Sequence, residues 1–194
     1  AHKGNILNYI SQWWFLNTQH IIDNHYIHSN SNHMIVKKTQ PIKLEFIVRG
    51  YMTGSTNTSI WPMYQRGERE MYGITFREGY QKNQKLDEII LTPTTKGVSD
   101  APITEQEIVE QKYLTKDEFN FIRDKSFELF KYGQTEAEKR GLILVDTKYE
   151  FGMYNGNIIL IDELHTCDSS RYWKLSSYQE RLDQGLEPEK YDKD

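Results

Sequence analysis

The feature that most constrains this chain is a pair of short apolar segments separated by an Asn-Gly dipeptide. The segments are LILVD at 142–146 and NIILID at 157–162, with Asn155-Gly156 between them. Both have the length of buried strands. Asn-Gly favours the two-residue turns of β-hairpins, because both of its residues readily adopt positive φ angles. The pattern therefore predicts an antiparallel hairpin.

Helical patterns lie on the N-terminal side of this hairpin. Apolar residues spaced near 3.6 predict an amphipathic helix over 5–22, with adjacent tryptophans that pack in the core. Thr104 and Thr115 are expected to cap helices. The longer of these helices covers 116–140 and stops before Gly141, which is a favourable residue just beyond a helix end. Helices combined with hairpin-linked strands predict an α+β fold.

The remaining segments are predicted from alternation and from turn residues. Strands are expected at 34–38 and 43–49. We expect loops and short β pieces over 60–91, a loop at 91–97 and a polar surface tail after Trp173.

Composition excludes several classes of protein. A net charge of −4 over 194 residues argues against a general nucleic-acid binder. No apolar run approaches the roughly 18 residues of a membrane span. The single cysteine, Cys167, allows neither an intramolecular disulfide nor a zinc site of several thiolates, and it fits a reducing compartment. The chain starts at Ala1 without a signal-peptide pattern, so we expect it to come from inside a longer protein.

Carboxylates follow both segments of the predicted hairpin. Asp146 and Glu150 lie beside the first, and Asp162 and Glu163 end the second. Alternation points Asp162 and Glu163 to opposite faces, so one of them can share a face with Glu150. Two carboxylates on neighbouring strands suit Mg²⁺, and Lys148 between them could neutralise a phosphate. A surface hairpin with solvated acids is the alternative.

Three further segments combine hydroxyls with a cation. They are VRGYMTGST at 48–56, TPTTK at 92–96 and DSSR at 168–171. Guanidinium, hydroxyl and backbone N–H groups together suit a phosphate monoester. The first segment is no P-loop, since no Gly-Lys-Ser/Thr ends it, and a plain β-turn is the alternative there. Together the three segments suggest a pocket for several anions.

These segments, with KNQKL at 82–86, LILVDTKYEFG at 142–152 and LIDELHTCDSSRYW at 160–173, resemble the signature segments of the phosphoribosylaminoimidazole-succinocarboxamide synthase family. The resemblance covers nearly the whole chain. It implies a two-lobed fold, distantly like ATP-grasp enzymes and protein kinases, with ATP between the lobes. Residues 1–40 would be the rest of the N-terminal ATP-binding lobe and the hinge, and 41–194 the C-terminal lobe. The family's glycine-rich ATP loop and C-terminal helices match nothing in this chain.

The family resemblance also implies an activity. It is the ATP- and Mg²⁺-dependent ligation of L-aspartate to an imidazole ribonucleotide carboxylate in purine biosynthesis, through an acyl phosphate. The implied partners are small-molecule substrates, not nucleic acid or membrane. Cytoplasmic localisation is expected from the pathway, and self-association into a homo-oligomer is left open.

Site residues follow from the same resemblance. Glu150 and Asp162 match the magnesium ligands, and Arg49, Ser55 and Arg171 match the residues that receive the nucleotide phosphate. The remaining assignments complete the site: Lys148 near the reacting groups, Val36, Lys37 and Lys38 at the adenine-facing hinge, Lys96 and Asp100 on the aspartate side, Asp168 and Ser170 in the substrate-binding DSSR segment, and Glu45, which contacts the ribose or pairs with a nearby cation.

Two positions depart from the family pattern. Ser99 stands where many relatives carry His, and Cys167 stands where they usually carry Pro. A kinase-like phosphotransferase is one alternative function, but it would require HRD and DFG segments, and the sequence contains neither. A non-catalytic nucleotide-binding remnant is a second alternative.

Overall fold

A computed structural model describes residues 2–97 and 100–191. Within these residues the helices are α1 (Lys3–Asn17), α2 (Ile60–Gln65), α3 (Glu105–Glu110), α4 (Lys116–Glu138) and α5 (Leu175–Asp183). The strands are β1 (Tyr26–Ser29), β2 (Met34–Val36), β3 (Gln40–Pro41), β4 (Leu44–Tyr51), β5 (Glu70–Met71), β6 (Ile74–Thr75), β7 (Lys85–Thr95), β8 (Leu142–Tyr154), β9 (Asn157–Ile161), β10 (Ser170–Lys174) and β11 (Lys190–Tyr191).

A seven-stranded sheet organises the described part of the chain, and β8 is its central strand. The order is β11-β10-β8-β4-β7, and the far half of β8 also pairs with β3 and β9. The β8–β9 pairing is the predicted hairpin, with Asn155 and Gly156 both at positive φ in its turn. The strand is longer than the 142–146 segment predicted from the sequence, because Thr147, Lys148 and Glu150 continue the same ladder against β4 and β9.

A β-bulge in β8 sets which face its polar residues occupy. Arg171 of β10 pairs with Asp146, but the next residue, Tyr172, pairs with Leu144. Val145 is therefore an extra residue, and such a bulge re-aims the side chains that follow it. From Asp146 onward, alternate residues of β8 project onto one face of the sheet.

The opposite face of the sheet packs on the long helix α4. The apolar residues of β4 (Leu44, Phe46 and Val48) are fully buried and belong to the same core cluster as Phe130 of α4. Glu45 and Arg49 alternate with these residues and lie on the other face. One face of the sheet thus builds the core, and the other carries charged side chains.

The helix predictions are confirmed for α3 and α4. Thr104 and Thr115 both form capping boxes, in which the threonine hydroxyl accepts from a backbone N–H and a glutamate returns the bond. The helix predicted over 5–22 ends at Asn17 instead. The Thr18 hydroxyl donates to the Trp14 carbonyl, and the Ile21 N–H donates to the Thr18 carbonyl, which closes a turn after the helix.

The prediction of a loop at 91–97 is wrong, because strand β7 runs from Lys85 to Thr95. Pro93 lies inside this strand. It is tolerated because β7 is the last strand on this side of the sheet, and beyond it the described residues form only a short bridge with residues 101–103, in which the Pro93 carbonyl accepts from the Ile103 N–H.

The expectation of loops and short β pieces over 60–91 is partly wrong. The two-stranded β5–β6 unit fits it. Helix α2 and the start of β7 do not, and the apolar residues of α2 pack in a second core cluster around Met52.

The prediction of a polar surface tail after Trp173 is wrong as well. The chain forms α5 there, and Tyr178 stacks on Trp173 with ring centroids 5.7 Å apart. The Tyr178 hydroxyl donates to the Asn83 carbonyl at 2.9 Å, so burial and one hydrogen bond fix this segment. Among the described residues, no helix is both long and apolar enough to cross a membrane.

Candidate active site

Two arginines from different strands converge on one buried carboxylate. Arg49 of β4 and Arg171 of β10 both lie opposite Asp146 of the intervening strand β8. One Asp146 oxygen is 2.7 Å from an Arg171 nitrogen and 3.5 Å from an Arg49 nitrogen. The carboxylate neutralises part of the double positive charge and positions both guanidinium groups.

Hydroxyl groups complete this cluster, which we call the arginine cluster (Arg49, Ser55, Thr92, Asp146 and Arg171). Arg49 donates through Nε to the Thr92 hydroxyl at 2.8 Å, and Arg171 donates to the Ser55 hydroxyl at 3.1 Å. Guanidinium and hydroxyl donors in this arrangement suit a phosphate group.

The loop that carries Ser55 depends on a close backbone approach. Gly54 has φ +128°, and a Cβ there would lie 2.1 Å from the Cβ of Ser59. A side chain at this position would clash with Ser59 and strain the backbone, so the loop that carries Ser55 requires this glycine.

A second cluster lies on the same face of the sheet, further along β8. The Lys148 amine lies 2.7 Å from Glu150, 3.2 Å from Asp162 and 3.3 Å from Glu45. Lys96, the residue after β7, contacts the other Glu150 oxygen. We call these five residues the acid–lysine cluster.

The opposite charges of Lys148 and Glu150 stabilise each other and shift the pKa of both groups. Burial alone lowers the pKa of Lys148, but its hydrogen bond to Glu150 and the charges of Asp162, Glu150 and Glu45 outweigh burial and raise the pKa above the usual value. Burial raises the pKa of Glu150, yet the bonds from Lys148 and Lys96 outweigh it, so the pKa lies below the usual value. Both groups are therefore charged at neutral pH.

Asp162 reaches this cluster through the end of the hairpin. Glu150 pairs with Ile161, the last residue of β9, and Asp162 follows with φ +67°. Aspartate adopts this left-handed conformation more readily than most residues. The sequence argument that either Asp162 or Glu163 shares a face with Glu150 is thus resolved in favour of Asp162, and Glu163 instead accepts a 2.5 Å hydrogen bond from Thr166.

The acid–lysine cluster fits a magnesium ion. Across the described residues, no group of three or more His, Cys, Asp and Glu side chains is arranged as a metal cage. Mg²⁺ does not require such a cage, because it commonly uses one or two carboxylates and takes its other ligands from phosphates and water. Glu150 and Asp162, which both contact Lys148, would supply such hard oxygen donors.

Other predicted site residues belong to neither cluster. Lys37 donates its backbone N–H to the His25 carbonyl and its amine to the Asn24 carbonyl, while Val36 and Lys38 are exposed. Ser170 is buried against the Thr147 hydroxyl at 2.7 Å.

Two more predicted residues also belong to neither cluster. Asp168 pairs with Lys3 at 2.7 Å, and Asp100 is exposed. Ser99 lies outside the described residues, so the expectation attached to it stays a prediction.

Sequence reasoning gave no role to Asp146 or Thr92. Asp146 was recognised only as one of four carboxylates near the hairpin, and Thr92 only as part of a hydroxyl-rich segment. Their contacts with Arg49 depend on cross-strand register. The one sequence feature that could have indicated Asp146 is its position at the end of the apolar segment LILVD, which suggests a buried carboxylate.

Comparison with known proteins decides the family. The family description "SAICAR synthetase" matches residues 1–194. The chain belongs to the SAICAR synthetase family. This confirms the resemblance drawn from the sequence motifs.

Curated members of the SAICAR synthetase family are close in sequence. The phosphoribosylaminoimidazole-succinocarboxamide synthase of Legionella pneumophila (strain Lens) is 50% identical over 196 residues, covering 100% of this chain and 63% of the relative. The chloroplastic enzyme of the same name from Arabidopsis thaliana is 53% identical over 195 residues, covering 99% of this chain and 47% of the relative. The chain thus spans less than two thirds of the length of these relatives.

Solved structures support the fold. The SAICAR synthase from Saccharomyces cerevisiae, complexed with SAICAR, has a TM-score of 0.78 and 29% identity, over 91% of this chain and 64% of that one. The predicted α+β, SAICAR synthase-like fold is confirmed.

Proposed function

We propose that the protein containing this chain is an ATP- and Mg²⁺-dependent ligase of de novo purine biosynthesis. It joins L-aspartate to 5-amino-1-(5-phosphoribosyl)imidazole-4-carboxylate, giving the succinocarboxamide, ADP and phosphate. The observation that carries the proposal is the presence of the arginine cluster and the acid–lysine cluster on one face of one sheet. Membership of the SAICAR synthetase family and the SAICAR bound to the yeast relative support the same assignment.

The spacing of the two clusters along the strands suits one extended nucleotide. Arg49 and Glu45 are four residues apart on β4, or roughly 14 Å at about 3.4 Å per residue. Arg49, Ser55 and Arg171 would bind the 5′-phosphate, and Lys148 would lie at the end that carries the imidazole carboxylate. Glu45, which faces Lys148, would also meet the ribose.

The proposed reaction has two steps, phosphorylation of the carboxylate and formation of the amide. A carboxylate oxygen of the imidazole attacks the γ-phosphorus of ATP, and the bond to ADP breaks to give an acyl phosphate. The aspartate amine then attacks the acyl carbon, phosphate leaves with the original carboxylate oxygen, and the amine loses a proton. No covalent bond to the protein forms, so Cys167 needs no catalytic role.

This chain's contribution is positioning and charge neutralisation. Lys148 neutralises anionic oxygens near the reacting carboxylate, and its contacts with three carboxylates hold its amine in place. Glu150 and Asp162 would hold Mg²⁺. When bound, the metal supplies charge neutralisation for the phosphate oxygens of ATP. Fixed geometry of this kind supplies most of the catalysis in phosphoryl transfer.

The other predicted roles belong to the same proposal. Val36, Lys37 and Lys38 would face adenine at a hinge between an N-terminal lobe containing 1–40 and a C-terminal lobe of 41–194. The remaining substrate-site residues would be Lys96 and Asp100 on the aspartate side, and Asp168 and Ser170 in the DSSR segment that carries Arg171. Cytoplasmic localisation is also part of the proposal, although the Arabidopsis relative is named chloroplastic.

The test is an assay of the intact protein with ATP, Mg²⁺, the imidazole ribonucleotide carboxylate and L-aspartate. We expect stoichiometric phosphate and succinocarboxamide, and no amide product when any substrate is omitted. Nucleotide binding without turnover in the intact protein would instead support a non-catalytic role.

A further inference from the structure

The Glu150 carboxylate lies between two ammonium groups that are held very differently. Lys148 contacts three carboxylates, those of Glu45, Glu150 and Asp162. Within residues 2–97 and 100–191, Lys96 forms one ion pair, with Glu150, and 47% of its side chain is exposed, against 27% for Lys148. Lys96 is therefore the more easily released of the two cations.

Charge balance indicates what would release it. Glu45, Glu150 and Asp162 carry three negative charges, and Lys96 and Lys148 carry two positive charges, so the cluster has one net negative charge. A divalent cation on Glu150 and Asp162 would give the cluster a net charge of plus one if Lys96 stayed, and zero if Lys96 left. Because Glu150 is only 3% exposed, surplus positive charge beside it would be poorly screened.

We propose that Lys96 competes with the divalent cation for Glu150, and that metal binding releases its amine toward the carboxylates of aspartate. This inference rests on the proposed function and deepens it. Lys96 follows the end of β7 and leads into the segment that carries Asp100. Metal loading would thereby free the Lys96 amine for the aspartate site.

The first experiment measures metal affinity without turnover. Mn²⁺ replaces Mg²⁺, since it takes the same oxygen ligands, and the free ion is followed by electron paramagnetic resonance in the full-length protein. Lys96→Met is expected to bind Mn²⁺ about fivefold more tightly than wild type, because about 1 kcal/mol of competition from a half-exposed ion pair is removed. Lys96→Arg keeps the charge and should stay near wild type.

Lys43→Met is the matched control. Lys43 is exposed, and its carbonyl accepts from the Lys96 N–H, so it lies beside the cluster, while the ion pairs of Glu150 among the described residues are with Lys96 and Lys148. Lys43→Met removes one positive charge, as Lys96→Met does, but it should leave the Mn²⁺ affinity within about twofold of wild type. If Lys96→Met and Lys43→Met bind Mn²⁺ equally, the competition is absent and the inference is overturned.

The second experiment detects the released amine directly. An amine-reactive reagent is applied to the wild-type protein with and without Mn²⁺, and labelling is read peptide by peptide by mass spectrometry. Labelling of Lys96 should accelerate severalfold with metal while that of Lys43 stays constant. Unchanged or slower labelling of Lys96 would overturn the inference. Failure of the wild-type protein to bind Mn²⁺ at all would instead remove the metal assignment within the proposed function.

Discussion

The side-chain nitrogen of Lys148 lies 2.7 Å from a carboxylate oxygen of Glu150, two residues along the same strand. Alternation brings both side chains to one face of the sheet, and the hairpin and β4 add Asp162 and Glu45 to it. A single cation is thus surrounded by three acids at the point where the proposed reaction requires charge control.

Replacement of this cation should damage catalysis. Lys148→Met keeps the apolar stem but removes the charge that neutralises the reacting oxygens, so we expect kcat to fall about 10²- to 10³-fold. Lys131→Met, at an exposed position on α4, is the control and should keep wild-type turnover. A Lys148→Met enzyme within about threefold of wild type would remove Lys148 from the mechanism.

The proposed metal ligand Asp162 can be tested by an isosteric change. Asp162→Asn keeps the size of the side chain and removes its charge, so turnover should fall by about 100-fold or more and require higher Mg²⁺. Asp183→Asn, an exposed change at the end of α5, should alter neither quantity. Near-normal activity and Mg²⁺ dependence in Asp162→Asn would mean that the metal binds elsewhere.

The arginine cluster should affect one substrate selectively. Arg171→Ala removes a charged donor to the nucleotide phosphate, and a loss of about 1.5–3 kcal/mol corresponds to a 10- to 100-fold higher KM for the imidazole nucleotide. The KM for ATP should change by less than about threefold. Arg123→Ala on α4 serves as the control. An equal loss for both ligands would contradict the phosphate assignment.

A buried histidine should make stability depend on pH. Burial lowers the pKa of His165 from 6.5 to about 3, so the unfolded state binds the proton first as pH falls. The stability associated with neutral His165 is complete above pH 6.5 and is lost progressively toward pH 3, by up to about 1.4 kcal/mol per pH unit.

Urea unfolding of wild type and His165→Gln between pH 7.5 and 4 measures this dependence. The wild-type free energy of unfolding should fall more steeply with acid than that of His165→Gln, whose amide does not titrate. His33→Gln changes an exposed histidine and should keep the wild-type slope. Equal slopes for wild type and His165→Gln would show that His165 does not control acid stability.

Much of the fold could be predicted because its signals are local. Asn155-Gly156 specifies the hairpin turn, and Thr104 and Thr115 cap α3 and α4 as expected, each as part of a capping box with a glutamate. Pro93 misled the prediction because its tolerance depends on β7 being at the sheet edge, which no local pattern encodes.

The sequence motifs indicated several residues of the candidate site, but not how the strands bring them together. The motifs named Arg49, Arg171 and Lys148, yet the carboxylate that joins the two arginines was given no role. Asp146 reaches them only because Val145 forms a bulge in β8. A bulge depends on the pairing of two strands that are distant in sequence, so composition and periodicity cannot reveal it.

The central claim is that this site ligates aspartate through an acyl phosphate, and an oxygen-transfer experiment tests it most directly. The intact protein is given the imidazole nucleotide labelled with ¹⁸O in its carboxylate, together with ATP, Mg²⁺ and L-aspartate. We predict amide product and inorganic phosphate that carries one ¹⁸O atom, because the carboxylate oxygen leaves with the phosphate. Amide formation with unlabelled phosphate, or phosphate release without amide, would contradict the account.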